Sequence, residues 1–279
     1  MSTMQFFKLT HPEYQSDQED NSRNPVMSMA VYRIPGISCN LCGPWSSSDR
    51  LRIPLPPTAD DFLGVRFLPL MDWKLARPQR FILHLVPFSS VGVDSNMDLG
   101  PWEKSLPFPL GGGGCNFRFN FDGLVTYTGQ AGQRQFTYLQ VMRTGAVEAV
   151  MTLPGTRGKD GKSTFHPYFV EENIVKALPD YLERYSQFGV ATPIAILVSV
   201  LGVKGSKLPE SWRHFAHRHE IDRDTLLLPD VLLREYPEDA DESLPQILRP
   251  AFDALWQACG VPHSFHYDEE GCWKESFEW

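Results

Sequence analysis

The sequence predicts an α+β fold: a mostly antiparallel central sheet with two main helices and a loop-rich N-terminal extension. Three observations point there. Between Arg80 and Leu153, period-two apolar stretches follow one another with turn residues, not helical patterns, between them, which is how strands joined by hairpins read. Two later segments, 164–190 and 243–261, instead carry apolar residues at three- and four-residue steps, the spacing of one helix face. Aromatic residues make up 12% of the chain, with 18 Phe and 7 Trp, and rings suit a pleated surface better than a helix interior.

Taken in order, residues 1–60 differ from the rest. A short apolar opening at Met4–Leu9 leads into an acidic polar stretch and then into a segment, 34–57, dense in Pro, Gly and Ser. This reads as an extension with short strands at most, followed by an α+β domain over 61–279. Arg80–Phe88 begins the sheet, and the long connection 90–114 is irregular, a length that usually carries function. Phe121–Gly129 and Gln135–Leu153 form a meander, turning at 129–133 and at Thr144–Gly145. Asp122–Gly123 is expected to form a bend.

In the first helix Phe169, Ile174, Leu178, Tyr181, Leu182 and Tyr185 share a face, Glu171 and Glu172 sit in the first turn, and Gly189 stops it. Pro179 predicts a kink or a join between two shorter helices. The apolar run 193–203 reads as a central strand covered on both faces. Thr225–Tyr236 is a strand candidate broken at Pro229, hence an edge or bulge. The second helix places Ile247, Phe252, Leu255 and Trp256 on one side and ends at Gly260. The 23 Pro residues argue for short segments and against long helices.

At 279 residues with 42% hydrophobic side chains, the chain has ample material for a core. Its formal net charge of −8 repels phosphate backbones unless a basic patch overrides it, so a nucleic-acid partner is disfavoured. No run approaches the roughly 20 apolar residues of a membrane span, and the opening residues lack the pattern of a secretory signal. Five cysteines, an odd and scattered set, do not form a disulfide framework. A cytoplasmic setting is therefore expected, with no membrane partner.

Several fragments suggest chemistry. Gly161-Lys162-Ser163 copies the end of a phosphate-binding loop, but that loop needs a glycine five positions earlier, where Thr156 stands. His166-Pro167 also separates Lys162 from the helix start, so a solvated hairpin tip is expected. Arg134, Arg143, Arg157, Lys159 and Lys162 form the candidate basic edge for a ligand or nucleic acid. Gly111–Gly114 reads as a linker. Cys39 and Cys42, in a CxxCG, have the turn chemistry of half a zinc site; His11 or Cys115 would have to supplement them, and no cofactor is expected beyond the zinc such a pair would take. His214, His217 and His219, and His263 and His266, read as exposed polar segments. Trp102 to Phe108 reads as an exposed aromatic loop suited to a protein partner. Asp222–Arg223–Asp224 is expected as an ion-pair cluster, with Asp253 and Trp256 on the last helix. No serine-hydrolase elbow, kinase set or HExxH is present.

The order of segments RFILHLVPFSSV, FNFDGLVTYTG, QFTYLQVMRTGAVEAV, ENIVKALPDYLERY, PIAILVSVLGVKG, IDRDTLLLPDVLLREY and LRPAFDALWQACGVPHSFHYDEEGCW resembles the C-terminal region of bacterial Schlafen/AlbA-type ATP- or DNA-binding proteins over about residues 80–273. The upstream domain of those proteins has no counterpart here, so the resemblance implies a fold and an accessory role and transfers no catalytic residue. Residues 4–56, with MQFFKL, Ile34-Pro35-Gly36 and Cys39–Gly43, resemble the start of double-CxxCG immunity proteins, with one CxxCG of the two. Together these readings lead to the expectation of a non-enzymatic binding or regulatory protein of bacterial type acting through protein–protein contacts. The alternatives are an immunity protein that neutralises a toxin and a nucleic-acid- or nucleotide-binding protein.

Overall fold

The computed structural model describes residues 79–91, 96–112, 114–129, 135–158, 161–209 and 219–275. Eight strands and three helices run in the order β1 (Arg80–Pro87), α1 (Gly100–Lys104), β2 (Asn116–Phe119), β3 (Gly123–Tyr127), β4 (Thr137–Met142), β5 (Val147–Thr152), α2 (Pro167–Gln187), β6 (Ile194–Leu201), β7 (Thr225–Leu227), β8 (Val231–Leu233) and α3 (Ala240–Gln257). They make one sheet ordered β2-β3-β4-β5-β1-β6-β7, with β8 pairing the other end of β6. Every pairing is antiparallel, as the α+β reading requires. The loop-rich extension, 1–60, lies outside the described residues. Among the described residues, no helix is long and apolar enough to cross a membrane.

The meander forms because each reversal is local. Gly145 adopts φ 91° in the β4–β5 turn, where Met142 N–H reaches Ala146 O at 2.8 Å, and glycine reaches that conformation without a Cβ clash. Chain order does not place β1, which inserts between β5 and β6 and opposes both. Strands β5 and β6 therefore run parallel, with α2 as the connection that carries the chain past β1.

Alternation along the strands separates two faces. Phe81, Leu83 and Leu85 of β1 join Val147 and Ala149 of β5 in the main core, under α2 and α3. His84 and Glu148 face the other way and are buried as well. Strand β6 is buried over seven of its eight residues, in line with the central strand expected there.

Two expectations about proline are corrected, the absence of long helices and a join between two shorter helices at Pro179. Helix α2 runs unbroken for 21 residues through Pro179, and α3 for 18 through Pro245 and Pro250. A mid-helix proline costs about 3 kcal/mol. Burying Val170, Ile174, Leu178, Tyr181, Leu182 and Tyr185 returns about 1.5–3 kcal/mol for each large apolar side chain, so packing outweighs the lost hydrogen bond. Pro167 stands at the first turn of α2, where its missing N–H has no partner to lose. Pro229 does break its strand, into β7 and β8, and both halves pair with β6.

A candidate protein-docking edge

Strand β2 ends the sheet, pairing with β3 alone among the described strands, and all four of its residues are exposed. Its sequence, NFRF, continues as Asn120-Phe121, so Phe alternates with polar residues through three repeats. Phe117 is 42%, Phe119 46% and Phe121 78% exposed. Phe117 stands opposite Thr126 and Phe119 opposite Leu124, and Leu124 belongs to the helix-covered core. The two rings thus sit on the helix face of the sheet, at its margin.

Hydrogen-bond phase decides which way the backbone of β2 looks. Asn120 N–H donates to Gly123 O at 2.8 Å, closing the turn to β3. In an antiparallel pair, bonded and non-bonded pairs alternate, so Asn120, Arg118 and Asn116 bond to β3. The N–H and C=O groups of Phe117 and Phe119 then point outward, and among the described residues nothing bonds them. An edge of this kind is a template for another strand unless something blunts it.

The turn that anchors this edge is built around Gly123 and Arg143. Gly123 has φ 153°, and a Cβ there would stand 2.0 Å from Val141 O. Its N–H is held by Asn120 Oδ1 at 2.7 Å. Arg143, exposed in the β4–β5 turn, donates from Nε to Phe121 O at 2.8 Å. No carboxylate lies within ion-pair distance of it among the described residues. Phe108, 46% exposed, is brought to the same margin by two bonds: Tyr181 OH of α2 donates to Phe108 O at 2.7 Å, and Thr126 Oγ1 of β3 donates to Pro107 O at 2.9 Å.

The other residues singled out by sequence are dispersed. Trp102 is 1% exposed, which overturns its place in an exposed loop: helix α1 turns the ring inward, edge-on to Tyr185 and Phe188 at 5.7 and 4.9 Å. Arg157 and Lys162 follow β5, at the opposite end of the sheet from Arg143, so no single basic edge forms. Lys162 is paired with Glu220 at 2.5 Å, and Lys207 approaches the same carboxylate at 3.6 Å; the Lys162 hydrogen bond holds the Glu220 carboxyl below its ordinary range. Arg157 Nη1 reaches Gly161 O at 3.5 Å. Cys39, Cys42, His11, Arg134, Lys159, His214 and His217, and the whole 4–56 segment, lie outside the described residues. Among those described, no group of three or more His, Cys, Asp or Glu is placed to hold a metal ion. Arg223 pairs with its neighbour Asp222 at 3.0 Å.

Two buried polar networks were not anticipated. On the non-helix face, His84 Nε2 and Glu148 Oε2 lie 3.0 Å apart, and Tyr138 OH donates to Glu148 Oε1 at 2.8 Å. Burial and the adjacent Glu148 carboxylate push the Tyr138 hydroxyl well above its usual range. Between α2, α3 and the C-terminal segment, Glu171 accepts from Trp256 Nε1 and from Ser264 Oγ, the latter at 2.9 Å. Ser264 N–H is held in turn by Asp253 Oδ1 at 2.8 Å. Burial raises the Glu171 carboxyl from the ordinary 4.5 to about 8. Glu148 and Glu171 have no measurable exposure, so each network organises the interior around a sealed carboxylate.

No protein-family model, curated protein or solved structure matches the chain.

Proposed function

We propose that the chain is a non-enzymatic binding or regulatory accessory protein that works through protein–protein contacts, with the β2 margin as its contact surface. One observation carries the reading: Phe117 and Phe119 alternate along an edge strand, followed by Phe121 in the turn, and no described residue bonds the outward backbone groups of Phe117 and Phe119. Single exposed apolar residues are ordinary, whereas a contiguous apolar patch marks an interaction site. Aromatic and arginine side chains also dominate the energetic centres of protein interfaces, and this margin combines Phe108, Phe117, Phe119 and Phe121 with Arg143. The resemblance of residues 80–273 to a region that accompanies a separate functional domain fits the same accessory role.

Photo-crosslinking tests it. With p-benzoylphenylalanine in place of Phe117 or Phe119, irradiation of the full chain in its own cells is expected to yield a discrete protein adduct that is absent when the probe replaces exposed Glu235. Equal labelling from all three positions would mean that the margin has no partner.

A further inference from the structure

A second surface, distinct from the β2 margin, lies on the side of the sheet away from the helices. We infer that two stretches of this chain ahead of β1, 52–63 and 73–78, lie across that face and seal its His84–Glu148–Tyr138 centre. Strand pairing defines the face. His84 stands opposite Glu148 on one side and Leu197 on the other, Ile82 opposite Val150, and Val150 opposite Tyr138. Gln140 carries the face on from Glu148 to Val125, since residues paired in this way share a side. Ile82, Val86, Val125, Val150 and Leu197 thus frame the polar centre. Neither they nor His84, Glu148 and Tyr138 are more than 1% exposed. A sheet with helices on one side alone has a wet opposite face; this one is dry, so it is covered.

Among the described residues, every buried apolar side chain of a helix or connection, save Ala146 in the β4–β5 turn, belongs to the helix-side core. The face is sealed within a single chain, so its cover is the chain's own. From β3 to β6 the face is five strands wide, roughly 19 Å at about 4.8 Å per strand. Apart from residues 1–78, the stretches outside the described residues hold nine residues at most. A loop of that size must leave the rim of the sheet and return to it, so it reaches in by about half of its ~30 Å length. Within 1–78, the stretches 52–63 and 73–78 belong to the same compact unit as the sheet. They bring Ile53, Leu55, Phe62, Leu63, Trp73 and Leu75, the apolar side chains that such a frame needs. Residues 73–78 enter β1 directly and span about 20 Å when extended, the width of the face. Helices α2 and α3 already fill the other side. With water shut out, the bonds of Glu148 to His84 and Tyr138 are strengthened, and an apolar surface that would attract other chains is removed.

The test uses the full chain grown with photo-leucine, a diazirine analogue of leucine, and irradiated as a mixture of isotope-labelled and unlabelled copies before digestion with trypsin. The tryptic peptide 185–204 contains Leu197 and Leu201 as its leucines, and both face the covered side, standing opposite His84 and Arg80. Leu83, Leu85 and Leu99 of peptide 81–104 face the helix side. Peptide 185–204 is expected to link to 52–63 or 73–78 within one copy, and peptide 81–104 to α2 and α3. Links from 185–204 that reach neither stretch overturn the inference. Links that join labelled to unlabelled copies overturn it too, by assigning the face to a second copy. Nitration with tetranitromethane reads the seal independently. Tyr138 is expected to be inert in the full chain and to react about tenfold or more faster in Trp73→Ser with Leu75→Ser, as a locally opened site does. Tyr185, at 0% exposure in the helix-side core, should stay inert in both and so report an intact fold. Equal Tyr138 reactivity in the two chains overturns the inference; where Tyr185 reacts as well, the variant has unfolded and the crosslinks decide.

Discussion

Glu171 keeps its proton because removing the carboxyl from water costs more than the hydrogen bonds from Trp256 and Ser264 return to its charged form. The consequence for stability has a definite sign. In the unfolded chain the group ionises near 4.5, whereas in the folded chain it stays neutral up to about 8, so the native state holds the extra proton. Its contribution is fully present below pH 4.5 and is lost as pH rises through the window to about 8, at about 1.4 kcal/mol per pH unit inside it. Buried His266, whose imidazole is pushed down by burial, works in the opposite direction in acid, so the diagnostic quantity is a difference. Thermal melts of wild type minus Glu171→Gln are expected to fall steadily from pH 5 to pH 8, with the variant the more stable at pH 8. A flat difference would mean that Glu171 is ionised throughout. The other buried carboxylate has a different dependence on its neighbours: Tyr138→Phe removes the donor to Glu148 Oε1, and a buried acceptor left unsatisfied costs about 1–3 kcal/mol. Urea titration at constant pH should show a loss of that size.

Elements separate the residues that fold the chain from those that are available to a partner. Phe117 and Phe119 stand half-exposed on an edge strand, so replacing both by Ser loses only part of their ring burial and should cost about 1–3 kcal/mol. Trp102, wedged edge-on against Tyr185 and Phe188, should cost about 3–5 kcal/mol as Trp102→Ala. Denaturant midpoints of the two variants check both statements, and a Phe117→Ser, Phe119→Ser chain destabilised by more than Trp102→Ala would place those rings in the core. The same contrast explains what the sequence discloses. Strands β3 to β5 and helix α2 are legible because their turns and their apolar faces are local. Strand β2 is hidden, although the alternation of polar residues and Phe from 116 to 121 is regular, because it abuts the glycine run and its rings are half-exposed. Trp102 misleads because Gly100, Pro101 and its charged neighbours look like surface, while the inward turn of α1 depends on residues 83 and 86 positions further on. Ile247, expected on the buried side of α3, is 36% exposed; the two prolines in that helix do not alter its phase, and Leu244, Leu248, Phe252 and Leu255 take the core positions instead.

Across the whole molecule, strand pairing distributes charge in a way that chain order hides. Arg143 follows β4, and Arg157 and Lys162 follow β5, so they lie only 14 to 19 positions from Arg143 in sequence. Because β4 and β5 run in opposite directions, those positions fall at opposite ends of a sheet whose central strand has eight residues, roughly 25 Å at the rise of a strand. That exceeds two Debye lengths of about 8 Å at physiological salt, so the two ends act independently. At one end Glu220 already occupies Lys162 and faces Lys207; at the other, Arg143 stands beside the Phe-bearing margin. A phosphate backbone needs several cations in register along one track, since each neutralised phosphate contributes to affinity through counterion release. The described residues offer two short, separated clusters in a chain of net charge −8. Gel-shift titrations with double- and single-stranded DNA are therefore expected to show no retardation at physiological salt, and Lys162→Glu should change nothing in them. A salt-sensitive shift lost in Lys162→Glu would show that the Glu220 pair opens to admit phosphate, and would move the functional surface from the β2 margin to the far end of the sheet.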